Sequence, residues 1–190
     1  MGLVRSRRRA GEISNPQEDV GRKQAEYLLG RGHTRLGYAL PSDDRLRAFY
    51  EPRLVGVREC CARAGLPEPV EQVVPMESGA AGQAVAGWAG AGGTGVCAYN
   101  DETALAVLAG ARETGTAVPS ELAVIGVDDI PLASLVSPRL TSVRVDMRAL
   151  ARELVAPLAE EAAAASAGEG ATTPAAGHHG AQVVVRESTQ

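Results

Sequence analysis

Along the chain, stretches whose apolar residues recur every three or four positions alternate with short, almost continuously apolar stretches. That alternation is the signature of a parallel sheet with helices on its faces. The spacing predicts helices near residues 19–31, 51–65, 79–90, 101–114 and 146–165, and strands near 34–40, 71–75, 95–99, 122–127, 140–145 and 182–186. The first helix should end at Gly30-Arg31-Gly32, where glycine suits a left-handed C-cap and arginine suits the negative end of the dipole. In the helix opened by Asp101, the positions Ala104, Leu105, Val107, Leu108 and Ala111 make one stripe for burial. Pro157 breaks the Met147-Leu150-Ala151-Leu154-Val155-Leu158 periodicity. An interior proline costs about 3 kcal/mol or bends the helix, so a kink is expected near Ala156. Residues 162–180 turn rich in Ala, Gly, Ser and Thr, the composition of a flexible linker leading into the last strand.

One strand end carries the strongest chemical signal. Val124 to Asp129 reads as a buried apolar strand that stops at a glycine and then presents two carboxylates. An open parallel sheet displays ligand-binding groups in this way, at the carboxyl ends of its strands. Asp128 is therefore a candidate ligand contact, although an aspartate there also suits a turn or a cap before Ile130-Pro131. Asp129, on the adjacent position, should point the other way and is the better candidate for capping.

Composition fits one domain with an aliphatic core: of 190 residues 45% are hydrophobic, with one Phe, one Trp and four Tyr. Ala, Val and Leu must carry the packing, each contributing less area than an aromatic would. The net charge of -4 argues against a surface built to neutralise phosphates. Arg5, Arg7, Arg8 and Arg9 form a basic run in residues 1–15 that reads as a disordered arm. Three cysteines, two of them adjacent at Cys60-Cys61, make neither a disulfide framework nor a zinc motif. The expected setting is cytoplasmic and reducing, since no apolar run approaches the roughly 20 residues of a membrane helix and no signal-peptide core follows the arginines.

Several apparent motifs carry little. Gly90-Ala91-Gly92-Gly93-Thr94-Gly95 satisfies the dinucleotide glycine pattern, yet it precedes a strand, whereas that fingerprint must follow one and open a helix. His178-His179 is too isolated for a metal site, and His33 is expected to make structural hydrogen bonds. No nucleophile elbow, phosphate-loop lysine or paired acid is present, so an enzyme is not expected, nor is a metal or cofactor.

A series of segments in order, rather than any single motif, points to a family. It runs Asp19-Val20-Gly21 into Leu28-Leu29, Gly32-His33-Thr34-Arg35-Leu36-Gly37-Tyr38, Arg53-Leu54-Val55-Gly56-Val57, Ala64-Gly65-Leu66 and Tyr99-Asn100-Asp101-Glu102-Thr103-Ala104. It continues with Gly115 to Pro119, Val124 to Asp129, Ser137-Pro138-Arg139-Leu140-Thr141-Ser142-Val143 and Val183-Val184-Val185-Arg186-Glu187-Ser188-Thr189. From about residue 16 onward the chain resembles the effector-binding domain of LacI-type bacterial transcription regulators, whose fold is that of type I periplasmic binding proteins.

The resemblance implies an α/β domain of two lobes with the ligand in the cleft between them. Residues 16–137 and 181–190 would form the C-terminal lobe, 138–165 a strand and helix of an incomplete N-terminal lobe, and 166–180 a linker. Leu140, Val143 and Val145 would then lack a partner surface, and that segment is expected to pack nonnatively, move, or drive self-association. Arg53 matches the family arginine that reaches into the cleft, where a planar guanidinium can clamp hydroxyls; an exposed helix arginine is its alternative. Asn100 matches a ligand-facing position, with Asp101 as the helix N-cap. Tyr99 departs from the small residue usual there and is expected to line the cleft. Trp88 has a stacking role open to it, but its Ala- and Gly-rich helix favours the core.

The expected function is the sensing of a sugar or related small metabolite, with DNA reached only through a helix-turn-helix missing from this chain, and a homodimer left open. A solute-binding protein of a transport system is the alternative. A non-functional remnant is another, because Met1 to Glu12 resembles nothing in the family.

Overall fold

A computed structural model of the protein describes residues 15–146 and 181–190. Helix α1 (Pro16–Gly30) opens at Asn15, whose side chain accepts from the Gln17 amide, with proline at the first helical position and Glu18 and Asp19 in the first turn. These place a capping oxygen, a preset φ and negative charge where the helix start needs them. The helix stops as expected, at a cap on Arg31 followed by Gly32 at a φ of 92°.

The chain then alternates strand and helix: β1 (Leu36–Pro41), α2 (Arg47–Arg63), β2 (Val70–Val74), α3 (Ser78–Gly90), β3 (Gly95–Ala98), α4 (Asp101–Thr114) and β4 (Ala123–Val127). The strands β5 (Thr141–Val145) and β6 (Ala181–Val184) complete one six-stranded sheet in the order β2-β1-β3-β4-β5-β6. All pairings are parallel except the last, where β6 runs antiparallel to β5. Successive strand residues serve opposite faces: Val96, Ala98 and Val124 pack with α3 and α4, whereas Cys97, Ala123, Ile125 and Val127 pack with α1 and α2. Both faces are covered, so the strands read as apolar runs rather than as alternating ones.

Predicted and observed elements agree to within a few residues except at α2, which starts at Arg47, four residues earlier than expected. The spacing had put Pro52 in the first turn, where proline is favoured. A short turn at Asp44–Leu46, capped by Asp43, instead runs straight into the helix, leaving Pro52 inside it.

The larger correction concerns residues 140–145. This segment has a partner surface on both sides. Leu140 is buried in the cluster under α3 and α4, Val143 in the cluster under α1 and α2, and β5 lies between β4 and β6. The last residues lock it in place. The Ser188 hydroxyl donates to the Val124 carbonyl at 2.6 Å and accepts from the Thr141 amide at 2.8 Å. The Thr189 hydroxyl lies 2.8 Å from that of Thr141 and 2.9 Å from that of Tyr27 on α1. The local pattern of a strand shows its apolar character but not which strands lie beside it, here β4 before it and β6 after it. The predicted basic arm up to Asn15, the helix near 146–165 with its kink at Pro157, and the linker at 166–180 lie almost wholly outside the described residues.

Helices α1 and α2 touch backbone to backbone. A Cβ on Gly21 would overlap the Arg53 carbonyl, and one on Gly56 would overlap the Glu18 carbonyl. Gly56→Ala and Gly21→Ala should therefore destabilise by about 1–3 kcal/mol despite alanine's higher helix propensity. Each should lower the melting temperature by several degrees in calorimetry, whereas Gly79→Ala, with open space around its Cβ, should be neutral or stabilising.

Candidate functional site

In the order β2-β1-β3-β4, the chain passes from β1 to β2 on one side and then returns to β3 on the other. At such a reversal the loops leaving adjacent strands diverge and open a crevice at the carboxyl edge. Three of the four predicted site residues meet there. Arg53 comes from α2, Tyr99 directly follows β3, and Asp128 directly follows β4.

Arg53 is held in place by its neighbours. Its side chain is 9% exposed; Nη1 donates to the Tyr99 carbonyl at 2.6 Å and Nε to Gln17 Oε1 at 2.7 Å. The guanidinium carbon stands 5.0 Å from the centre of the Tyr99 ring, a cation–π distance. Nη2 is 3.9 Å from Asp128 Oδ1, close enough for attraction but too far for a direct hydrogen bond. The Asp128 side chain remains 45% exposed. Protein packed behind it removes part of its water and pushes its carboxyl above the usual value, while Arg53 pulls it back. Tyr50 meets the Tyr99 ring edge-on, with centroids 6.2 Å apart. Its place three residues before Arg53, on the same face of α2, was the available signal for it.

Asn100, the fourth candidate, lies beside the cluster with its oxygen already engaged. It caps α4, accepting from the Thr103 amide at 2.9 Å and the Thr103 hydroxyl at 2.8 Å. This reverses the expected division of labour, because Asp101 is not the cap. Asp101 is buried, accepting from the Ser142 hydroxyl at 2.6 Å and the Ile130 amide at 2.9 Å. It comes so close to β4 that a Cβ on Gly126 would overlap its carboxylate. Burial pushes the Asp101 carboxyl up to about 6, against the pull of those two hydrogen bonds and with a further push from Asp128 and Asp129.

Asp128 and Asp129 point apart, as expected, but Asp129 caps nothing with its side chain. Its carboxylate, 5% exposed, accepts from Arg186 Nη2 at 2.6 Å and Arg144 Nε at 2.8 Å. Burial opposes its charge, yet these arginines hold it below the usual carboxylate range. Another residue that the sequence did not single out is Gln24. It is buried on α1, and its Nε2 donates to the carbonyls of Ala98, Ile125 and Gly126 at the ends of β3 and β4.

The remaining candidates fall to the scaffold. Trp88 is fully buried and donates to the Val70 carbonyl at 2.8 Å. His33 pairs with the Thr94 hydroxyl at 3.0 Å, and residues 90–95 run from the end of α3 through its loop into the start of β3. Cys60, Cys61 and Cys97 are free and buried, and burial pushes each thiol up. A cavity of about 270 Å³ lined by Val85, Ala89, Thr94, Thr116 and Glu121 lies at the opposite, amino edge of the sheet and contains none of Arg53, Tyr99, Asn100 and Asp128.

A largely parallel sheet with a guanidinium, an aromatic ring and a carboxylate gathered at its point of strand reversal defines a doubly wound α/β domain with a polar crevice at its carboxyl edge. The family model described as "periplasmic binding protein-like domain" matches residues 25–189, and the chain belongs to that family, in the form found in LacI-type regulators. It is 36% identical over 142 residues to the HTH-type transcriptional regulator GalR of Escherichia coli, a match covering 70% of this chain and 40% of that protein. The chain thus spans about two fifths of the length of such relatives. A LacI-family sugar-binding transcriptional regulator from Escherichia coli, solved with phosphate, superposes with a TM-score of 0.69 at 21% identity, over 96% of this chain and 66% of the other. The transcriptional regulator CelR in complex with cellobiose superposes with a TM-score of 0.67 at 25% identity, over 91% and 52%.

The Asp101 carboxyl makes a pH prediction. With its folded value raised from 3.8 to about 6, the native state keeps a proton that the unfolded chain has released between those values. Its contribution to stability therefore falls as pH rises through that window, by at most about 3 kcal/mol. Melting temperatures of the native protein and Asp101→Asn, measured across the window, should show the difference between them drifting in the variant's favour as pH rises. A pH-independent difference would show that the carboxyl titrates normally.

Proposed function

We propose that this chain is the ligand-sensing part of a LacI-type transcriptional regulator and that it binds a sugar or similar polyhydroxylated metabolite at the carboxyl edge of the sheet. The observation that carries this reading is the meeting of Arg53, Tyr99 and Asp128, from three separate elements, in one crevice. A sugar ring offers hydroxyls that accept from a guanidinium and donate to a carboxylate, and an apolar face of C–H groups suited to an aromatic ring. Asn100 belongs to the same set, because its cap uses Oδ1 and leaves Nδ2 to donate to the ligand.

The relatives support this class over a transport protein or an enzyme, being named as transcriptional regulators, one of them solved with cellobiose. In this reading the six-stranded sheet is the C-terminal lobe of the sensing domain. DNA is contacted by other parts of the regulator, which acts in the cytoplasm, and a second copy of the chain is its natural partner.

Thermal shift and calorimetry with ribose, galactose, gluconate and cellobiose test the site. A sugar at a hundredfold excess over its dissociation constant should stabilise the protein by about 2.7 kcal/mol. Arg53→Ala and Asp128→Asn should each abolish the shift, and an unchanged shift in both variants would place the ligand elsewhere.

A further inference from the structure

Asp128 owes its direction to an unusual backbone. It and Asp129 have φ angles of 100° and 52°, in the region that side-chain-bearing residues adopt only where surrounding contacts over-determine it. Those contacts are present on three consecutive amides, each held by a different group. The Asp128 amide donates to the Val143 carbonyl at 2.9 Å, the Asp129 amide to the Ser142 hydroxyl at 3.0 Å, and the Ile130 amide to Asp101 Oδ2 at 2.9 Å. The Ser142 hydroxyl can accept from Asp129 in this sense only because its own proton goes to Asp101 Oδ1, at 2.6 Å. One buried carboxylate thus terminates two of the three tethers.

We propose that Asp101 is a positioning residue for the ligand site: its carboxylate, through Ser142 and the Ile130 amide, holds the left-handed turn that aims Asp128 at Arg53. This rests on the reading of Arg53 and Asp128 as ligand contacts. Asp101 suits the task by its place, since Tyr99 and Asn100 immediately precede it and its carboxylate reaches β5 and the loop after β4. The second carboxylate of the turn is withdrawn from the crevice by Arg144 and Arg186, so Asp128 alone faces Arg53.

An amide has one accepting oxygen where the carboxylate has two, so it cannot accept at both the Oδ1 and the Oδ2 position. In Asp101→Asn, if Oδ1 keeps the Ile130 amide, Nδ2 must donate to Ser142, and the Ser142 proton loses its acceptor. Protonation of Asp101 makes the same mismatch while leaving the chain folded, because the carboxyl holds its proton up to about pH 6. The charges that bear on the same loop are Asp128 and Asp129, with Arg53 and Glu102 beside the former and Arg144 and Arg186 around the latter.

The test is NMR of the isotopically labelled full chain, titrated through about pH 6, with amide exchange read residue by residue. The Asp129 and Ile130 amides should titrate together with the Asp101 carboxyl and carry the Asp128 resonances with them. In Asp101→Asn that shared titration should vanish, and exchange at Asp129 and Ile130 should rise about tenfold, while the β3 amides stay protected. Ser142→Ala, a smaller change, should free the Asp129 amide alone and serves if Asp101→Asn does not fold. Unchanged protection at residues 128–130 in folded variants would overturn the proposal, and so would a loss spread evenly over the sheet.

Cellobiose and ribose supply the functional arm. Where a sugar binds the native protein, Asp101→Asn should weaken it about tenfold with the fold intact; unchanged affinity would overturn the positioning role. If neither sugar binds, the ligand reading loses its support and the amide titration still decides whether Asp101 holds the turn.

Discussion

The backbone contact between α1 and α2 is the constraint on which the site depends. With no side chain at Gly21 or Gly56, the helices meet carbonyl to Cα. That depth sinks Arg53 far enough for its guanidinium to reach the Tyr99 carbonyl and to lie beside the ring rather than stay in solvent. From the next turn of α1, Gln24 reaches the carbonyls at the ends of β3 and β4. One helix therefore fixes both the arginine and the strand ends it faces. Buried polar groups of this kind are costly unless paired, and the hydrogen bonds of Arg53 and of Gln24 Nε2 double as alignment.

Electrostatics divides the two carboxylates at the end of β4 between different tasks. Asp129 is neutralised from behind by two arginines of β5 and the segment after β6. Asp128 keeps a single, longer approach to Arg53 and much of its exposure. A charge paired at 3.9 Å rather than in a direct hydrogen bond retains lone pairs for an incoming hydroxyl, whereas Asp129 accepts from both arginines and is buried away from one.

The fold was legible because a parallel sheet covered on both faces writes itself as local periodicity, and each of its strands in the first 127 residues was found that way. Asp128 was legible for a related reason, since the carboxyl end of a strand can be placed once the strand is, whereas Arg53 and Tyr99 were picked out by the resemblance of their segments to the family. Residues whose roles depend on distant partners were hidden. Asp101 looks like any helix-opening aspartate until Ser142 and Ile130 are brought to it, and the Asn100 cap was misassigned by one position for that reason. The glycine of Val124 to Asp129 was read as a strand stop, yet it also marks the close approach of a carboxylate. The 140–145 strand was expected to lack a partner surface because its local pattern does not show that β4, the strand just before it, and β6, some 35 residues after it, close on its two edges.

The C-terminal latch sets the order in which this molecule can be assembled. Ser188 and Thr189 bond to Val124, Thr141 and, 162 residues back along the chain, Tyr27. Contacts of such sequence separation form slowly, and during synthesis β5 must wait with one edge unpaired until β6 and these last residues leave the ribosome. A nascent chain of this kind offers a strand edge for unwanted pairing. Its yield should therefore be governed by translation speed and chaperone supply more than by the stability of the finished domain.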